Sequence, residues 1–532
     1  MRIYSRANSA GRTFTQPLPV YGIAQLREID ARLCEQHGDF ALMQMAARAA
    51  FRLLRKRWPD CKRLSIVVGG GNNGGDGLVM ARLALQHGIA VQLVYGLDVS
   101  SLEAVHAELN DRSEAFRELR ANVDADGAVA EFEECLFKEG ARLELSGDLV
   151  VDALYGIGLQ GELRFPGPDL IRLINESAKP VFAVDCPSGL DCELGAVMDT
   201  AVRADLTCTF IALKKGLLTH QAAEFVGELQ LEPLGFEAET AADATDYMLI
   251  GRKQALQFLP ARSPVSHKGN FGKVLCAGGD EGMGGAILLT AESCSRGGAG
   301  VVMSATRSAH VTAGLSRSPE IMWRGVENRS ALCKMLEAAS CIAIGPGLGR
   351  EPWGQMCWQT VLSAVQERQL PCVIDADGLN QLAKQPCELG PRVCLTPHPG
   401  EAATLMNALY PDDNSTAASI NADRFESVVR LCQGYGCCVL LKGAGGLVAW
   451  PESSDSGDRR TKVAVVASAH PALASGGMGD VLTGLLAAQL AQGLPAWQAA
   501  VRALHLQLEA VETLQAHTQE PAVTAARVVQ AL

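Results

Sequence analysis

The sequence predicts an α/β protein of two domains, each built on a largely parallel sheet. Three observations carry that expectation. The chain has 532 residues, more than one ordinary core accommodates. Short apolar runs alternate with amphipathic helical stretches along most of its length. And the apolar runs end again and again in Gly, Asp or Pro, as strands do when their C-terminal loops bind ligands.

The elements follow in order. "MRIYSRANSAGRTFTQPLPV" carries arginines and no acidic residue, and it lacks the apolar core of a secretory signal. Residues 1–19 therefore read as a disordered lead-in. Two helical patterns follow, "AQLREIDARLCEQHG" and "FALMQMAARAAFRLLRKRW". A first domain, residues 20–235, takes its strands from "LSIVV", "GIAVQLVYG", "DLVVDALYG", "KPVFAVDCPSG" and "ADLTCTFIA". The text then turns acidic and loses core periodicity over 236–247, "FEAETAADATDY", which reads as a linker. A second domain, 248–532, draws strands from "KVLCAGG", "AGVVMSAT", "SCIAIGPGLG", "LPCVIDADGL", "RVCLTPHPGE", "CCVLLKGAGG" and "TKVAVVA". It closes on a glycine turn running into a helix, "SGGMGDVLTGLLAAQL".

Composition narrows the function. A net charge of −12 disfavours a nucleic-acid binder, which needs a basic face. No apolar run is long enough to span a membrane. The 17 cysteines are scattered, without a C-x-x-C, and many sit in apolar strands. They read as reduced thiols of a cytoplasmic protein rather than disulfides or a zinc site.

Two stretches bear the chemistry. In "GGGNNGGDG", residues 69–77, a glycine turn joins a strand to a helix. Its spacing is neither G-x-G-x-x-G nor a Walker loop. Its amides suit a pyrophosphate, and its Asn and Asp oxygens suit a cation. Asp76 equally suits a helix N-cap. In "SGGMGD", residues 475–480, Gly476, Gly477 and Gly479 let successive N–H groups turn one way at a helix N-terminus. That makes an anion hole for a transferring phosphoryl group, with Asp480 at its rim as a base for an attacking hydroxyl. The bland alternative is a helix cap. Taken alone, His398 reads more readily as a structural histidine than as a ligand.

Together, "HKGNFG", "AGGDEGMGGA", "GPGLG", "DADGLN", "TPHPGE", "KGAG" and "SGGMGD" resemble the ribokinase-like dehydratase domain of NAD(P)H-hydrate repair enzymes. "GGGNNGGDG", "DALYGIGLQGE" and "VDCPSG" resemble the Rossmann-like, three-layer epimerase domain fused ahead of it. The resemblance runs from about residue 20 to the C-terminus. It implies that the substrates are NADHX and NADPHX, in which water has added to the nicotinamide ring beside its nitrogen. The first domain would interconvert the R and S epimers. The second would dehydrate the S epimer at the expense of ADP, giving AMP and phosphate, with Mg²⁺.

Residue by residue, the resemblance implies that the epimerase holds the hydrate with Asn72, Asn73, Gly74, Gly75 and Asp76, with Gly156, Ile157, Gly158, Leu159, Gln160, Gly161 and Glu162, and with Asp185. It puts K⁺ on Asn73, Asp152 and Ser188. Asp185 is the acid/base candidate, and Asp152 could do the proton work instead. In the dehydratase, Ala286, Gly347, His398 and Asp480 would meet the hydrate. Lys442, Gly443, Ala444, Gly445, Gly446 and Gly479 would hold ADP. Gly446 stands where the family has Thr, which costs a hydroxyl contact to the nucleotide. Competing readings are a vitamin or sugar kinase for the second domain and a non-catalytic scaffold for the first. A homo-oligomer is expected.

Overall fold

A computed structural model describes the chain except residues 1–2, 6–15, 125–129, 141, 160, 238–244, 454–458, 468 and 518–522. The chain divides into two compact units, essentially residues 18–245 and 246–532.

In the first unit the strands are β1 (Ile3–Ser5), β2 (Leu18–Tyr21), β3 (Arg63–Val68), β4 (Ala90–Tyr95), β5 (Phe132–Leu136), β6 (Leu149–Ala153), β7 (Val181–Val184), β8 (Leu206–Phe210), β9 (Leu213–Lys214) and β10 (Glu228–Glu232). The main sheet runs β1-β10-β8-β7-β6-β3-β4-β5, parallel throughout. Its strands alternate between two cores. Ile66, Val68 and Val151 point to one, and Val67, Val94 and Val150 to the other. That is why β6, "LVVDA", is buried at every position.

From β3 the chain winds outward to β4 and β5, then returns to place β6 on β3's other side. The winding direction reverses between β3 and β6, and the crevice beyond that reversal is where an open α/β sheet binds ligands. One expectation fails here. Residues 1–19 are not wholly a disordered lead-in, since β1 pairs with β10 and β2 pairs with β9. Without β1, β10 would be the sheet's edge and would leave a row of backbone groups unpaired. The rest of the lead-in reading falls largely outside the described residues, as does much of the linker.

In the second unit the strands are β11 (Tyr247–Leu249), β12 (Lys273–Ala277), β13 (Val301–Thr306), β14 (Met322–Gly325), β15 (Cys341–Ile344), β16 (Cys372–Ile374), β17 (Val393–Leu395), β18 (Cys438–Leu441), β19 (Gly446–Ser453) and β20 (Arg459–Val466). The order is β14-β13-β12-β15-β16-β17-β18-β19-β20-β11. It too has a reversal, between β12 and β15. The sheet is parallel except around β19, which is antiparallel to both β18 and β20. The four residues between β18 and β19 are too few for a crossover helix, so the strand must fold back as a hairpin.

The helix Met478–Ala491 is buried along most of its length. A Cβ on its Gly484 would meet the Thr290 carbonyl at 2.1 Å, so glycine sets the close approach to the helix Gly284–Arg296. Among the described residues no helix is long and apolar enough to cross a membrane.

Candidate functional site

At the first unit's reversal, β3 runs into Gly69–Gly71 and the helix Asn72–Gln86. Gly69 and Gly74 are where side chains cannot fit. A Cβ on Gly69 would lie 2.1 Å from the Leu154 carbonyl oxygen, and one on Gly74 would lie 1.9 Å from that of Gly69. Gly71 is the N-cap, extended, with open space where its Cβ would stand. The turn is therefore locked on one side and accessible on the other. The motif's second half is helix rather than loop, which removes the capping alternative for Asp76. Asp76 sits beyond the first turn, and the cap is Gly71.

The helix end opens into a cavity of about 1090 Å³ lined by Gly71, Asn73, Asp76, Gly156, Asp185 and Lys214, among others. Asn72, Ile157, Gly158 and Leu159 also line it. Gly74, Gly75, Gly161 and Glu162 are not among its lining residues. Gly75 instead faces the Met43 side chain. Gln160 lies outside the described residues.

Three strand ends bring oxygens together here. Asn73 donates through Nδ2 to the Tyr155 carbonyl at 2.8 Å, while its Oδ1 is buried without a partner. Asp152, fully buried at the end of β6, accepts from the Ser188 hydroxyl at 2.6 Å and the Ser188 N–H at 2.8 Å. Burial pushes its carboxyl up to about 6, against the pull of those hydrogen bonds. Ser188 Oγ in turn accepts from the Tyr155 N–H at 2.9 Å.

Asp185, just past β7, has a φ of 65° and accepts from the Lys214 ammonium at 2.7 Å. Lys214 also donates to Thr209 Oγ1 at 2.7 Å and is only 2% exposed. Sequence reasoning missed Lys214. It stands in "LKKG", beside a second lysine, and no local signal marks one of them as buried.

At the second unit's reversal, the loops after β12 and β15 clasp each other. Asp280 N–H donates to Gly347 O at 2.6 Å, and Gly279 N–H to Pro346 O at 3.1 Å. Gly347, at φ 57°, packs against Met283 and Ala286, so Ala286 and Gly347 are neighbours. A Cβ on Gly345 would lie 1.7 Å from the Asp375 carbonyl oxygen, which seats this loop on the end of β16.

Gly477, at φ 84°, caps the helix Met478–Ala491, placing Gly479 and Asp480 in its first turn. The first-turn N–H groups have no partner within the helix and project from its end. Beside them, Lys442 donates to Asp375 at 2.8 Å and lies 3.7 Å from Glu401. Burial works against the Lys442 charge, and those two carboxylates more than restore it, raising its pKa. Thr483 donates to the other Asp375 oxygen at 2.7 Å. A Cβ on Gly479 would lie 3.4 Å from the Lys442 nitrogen, so glycine there leaves the ammonium close to the helix end. Burial and the nearby Asp375 push the Asp480 carboxyl up to about 6, with Lys442 opposing.

The remaining expected residues divide. His398 caps the helix Pro399–Leu409: its Nδ1 accepts from the Gly400 and Glu401 N–H groups at 3.0 and 3.3 Å. A nitrogen that accepts two backbone hydrogens carries none, so the neutral ring has its proton on Nε2. Its Nε2 lies 3.6 Å from Glu401 Oε1, and the side chain is 57% exposed. The loop Lys442–Gly445 is held by the buried Arg424, which donates to the carbonyls of Lys442 and Gly445 at 3.2 and 3.5 Å. Burial lowers the Arg424 pKa to about 10. Gly446 is the first residue of β19, paired with Val466, rather than part of the loop.

Residues 39–216 match the family described as YjeF-related protein N-terminus, and residues 274–532 match the family described as NAD(P)H-hydrate dehydratase. The bifunctional NAD(P)H-hydrate repair enzyme Nnr of Coxiella burnetii is 38% identical over 479 residues, 89% of this chain and 90% of that protein. Its namesake in Escherichia coli K12 is 38% identical over 87% of this chain and 82% of its own length. Among solved structures, the Bacillus subtilis ADP/ATP-dependent NAD(P)H-hydrate dehydratase is 26% identical over 53% of this chain and 95% of its own, with a TM-score of 0.44.

Proposed function

Because the chain belongs to the family of bifunctional NAD(P)H-hydrate repair enzymes, we propose that its first unit epimerises the hydrates of NADH and NADPH and its second dehydrates the S epimer with ADP. The observation that carries the dehydratase half is Asp480, a carboxyl pushed up to about 6 at a glycine-capped helix N-terminus, with the Lys442 ammonium beside it. A base of that strength is ionised near neutrality and still accepts a proton well.

The chemistry follows from that arrangement. Hydroxide leaves poorly from the hydrate. Asp480 takes the proton of the ring hydroxyl as its oxygen attacks the terminal phosphorus of ADP. The helix N-terminus and Lys442 meet the charge that develops on the phosphoryl oxygens. AMP departs, phosphate then leaves the ring carbon while the ring nitrogen supplies the electrons, and the adjacent ring carbon gives up a proton to the departing phosphate or to water, which restores the ring double bond. His398 offers its Nε2 hydrogen to the hydrate, and the Arg424-supported loop Lys442–Gly445 holds the nucleotide. Among the described residues no cluster of three or more His, Cys, Asp or Glu forms a metal cage. Mg²⁺ would take much of its coordination from the phosphates of ADP and from water.

In the first unit the ring nitrogen pushes out the hydroxyl, and water returns to the other face. Asp185, ion-paired with Lys214 in the cavity wall, handles a proton. The helix N-terminus at Gly71–Asn73 suits the pyrophosphate. Asn73 with its orphaned Oδ1, Asp152 and Ser188 form an oxygen-only donor set that fits K⁺. When bound, the ion would supply a fixed positive charge at the substrate's edge. The two reactions together explain the fusion, since a stereospecific dehydratase rescues only one epimer.

The test is recovery of the reduced nicotinamide's near-ultraviolet absorbance from a mixed-epimer hydrate. Full recovery with ADP and none without a phosphoryl donor supports the reading. Accumulation of a stable phosphorylated product would instead indicate a small-molecule kinase.

A further inference from the structure

The epimerase cavity holds a carboxyl that the scheme above does not use. Asp76 lines the cavity from the helix Asn72–Gln86, is 8% exposed, and has an Oδ1 that is buried without a hydrogen-bond partner. It is not a helix cap, because Gly71 holds that position. No cation pairs with it among the described ion pairs. Lys214, the cavity's buried lysine, is engaged by Asp185, Thr209 and the Phe210 carbonyl. A buried oxygen without a partner costs stability unless something that enters the site satisfies it.

Epimerisation needs two proton-handling groups with opposite tasks. One gives a proton to the departing oxygen, and the other takes one from the arriving water. Two carboxyls in different surroundings can divide those tasks, one neutral and one ionised. Asp185 sits against an ammonium, whereas Asp76 sits against none. Resting on the epimerase reading of this unit, we propose that Asp76 is the acid that protonates the departing hydroxyl and Asp185 is the base that receives a proton from the entering water.

In this step the carbon–oxygen bond beside the ring nitrogen breaks, and the Asp76 proton goes to the departing oxygen to give water. The nitrogen lone pair forms the carbon–nitrogen double bond. Water then bonds to the same carbon from the opposite face and loses a proton to Asp185. No electron donor or acceptor is needed. The cycle leaves Asp76 ionised and Asp185 protonated, and exchange with cavity water resets them. The burial of Asp76 supports the assignment: with Asp185 and Asp30 nearby as further causes, it holds the carboxyl well above the usual carboxylate range. The charged groups that act on it are Asp185 and Asp30, and Arg27, Glu35, Asp39 and Lys214 also line the cavity.

The experiment measures R–S interconversion of NADHX by chromatography in ¹⁸O-water with the full-length protein. Each turnover of wild type introduces one solvent oxygen. Asp76→Asn keeps the shape and removes the proton, so both interconversion and ¹⁸O uptake should fall by about 10² to 10⁴. Hydrate binding, followed by titration, should weaken far less. Retention of a third or more of the wild-type rate overturns the assignment. So does a severe loss in Asp30→Asn alongside a silent Asp76→Asn.

Should Asp76→Asn unfold on melting analysis, the wild-type pH profile decides. An acid that must be protonated predicts a rate that falls as pH rises through its pKa, and a flat profile from about pH 5 to 9 contradicts it. Wild type that fails to exceed buffer in epimer exchange would sink the epimerase reading itself, a separate outcome.

Discussion

Asp480 and Asp152 are both carboxyls lifted to about 6 by burial, yet their surroundings assign them different work. Asp480 is half-buried at an open helix end, so it can meet a substrate. Asp152 is sealed and already accepts from Ser188. As a general base, Asp480 must be ionised, so dehydratase kcat/KM should rise with pH through about 6 and then level off. Asp480→Asn should cost about 10² to 10⁴ in turnover of the S epimer and flatten that limb. Activity within a factor of two of wild type would remove Asp480 from the chemistry. Asp152, by contrast, should act through the ion. Epimerase rate in potassium-free choline buffer should drop and recover on adding KCl, while Asp152→Ala should show weak hydrate binding and no response to KCl. The residues that bear backbone motifs were legible in the sequence, because Gly-rich turns and strand-end carboxylates announce themselves. Lys214, Thr209 and Arg424 were not. Each becomes important only through long-range burial against a strand end, and no local pattern encodes that.

At the level of elements, the two glycine turns show what the backbone contributes. Gly74 and Gly71 lie three residues apart and should respond in opposite ways. A methyl on Gly74 collides with the Gly69 carbonyl, so Gly74→Ala should open the turn and destabilise the unit by roughly 1–3 kcal/mol, as overpacking does. A methyl on Gly71 meets nothing, so Gly71→Ala should melt near wild type while raising the KM for the hydrate in epimerisation. Thermal melts alongside initial rates separate the two effects, and equal melting losses would contradict this account of the turn. The apolar runs that end in Gly, Asp or Pro correspond to β3, β4, β6, β7 and much of the second sheet. Two of the strands that escaped have visible reasons. β5, "FEECL", carries two glutamates, and β19, "GLVAWPES", contains a proline and begins directly at a glycine turn. The parallel pattern also hid the β18–β19 hairpin, which only the length of its connection reveals.

At the scale of the whole molecule, the central claim is a division of labour. One unit makes the epimer that the other consumes. Each unit has its own buried core and its own reversal of strand order. The most direct measurement follows the reduced nicotinamide's absorbance as a mixed-epimer hydrate is treated with ADP and either wild type or Asp185→Ala. Wild type should clear the mixture in one fast phase. Asp185→Ala should give a fast phase equal to the S fraction, then a slow phase at the spontaneous epimerisation rate. A single fast phase clearing both epimers in the Asp185→Ala protein would contradict the account.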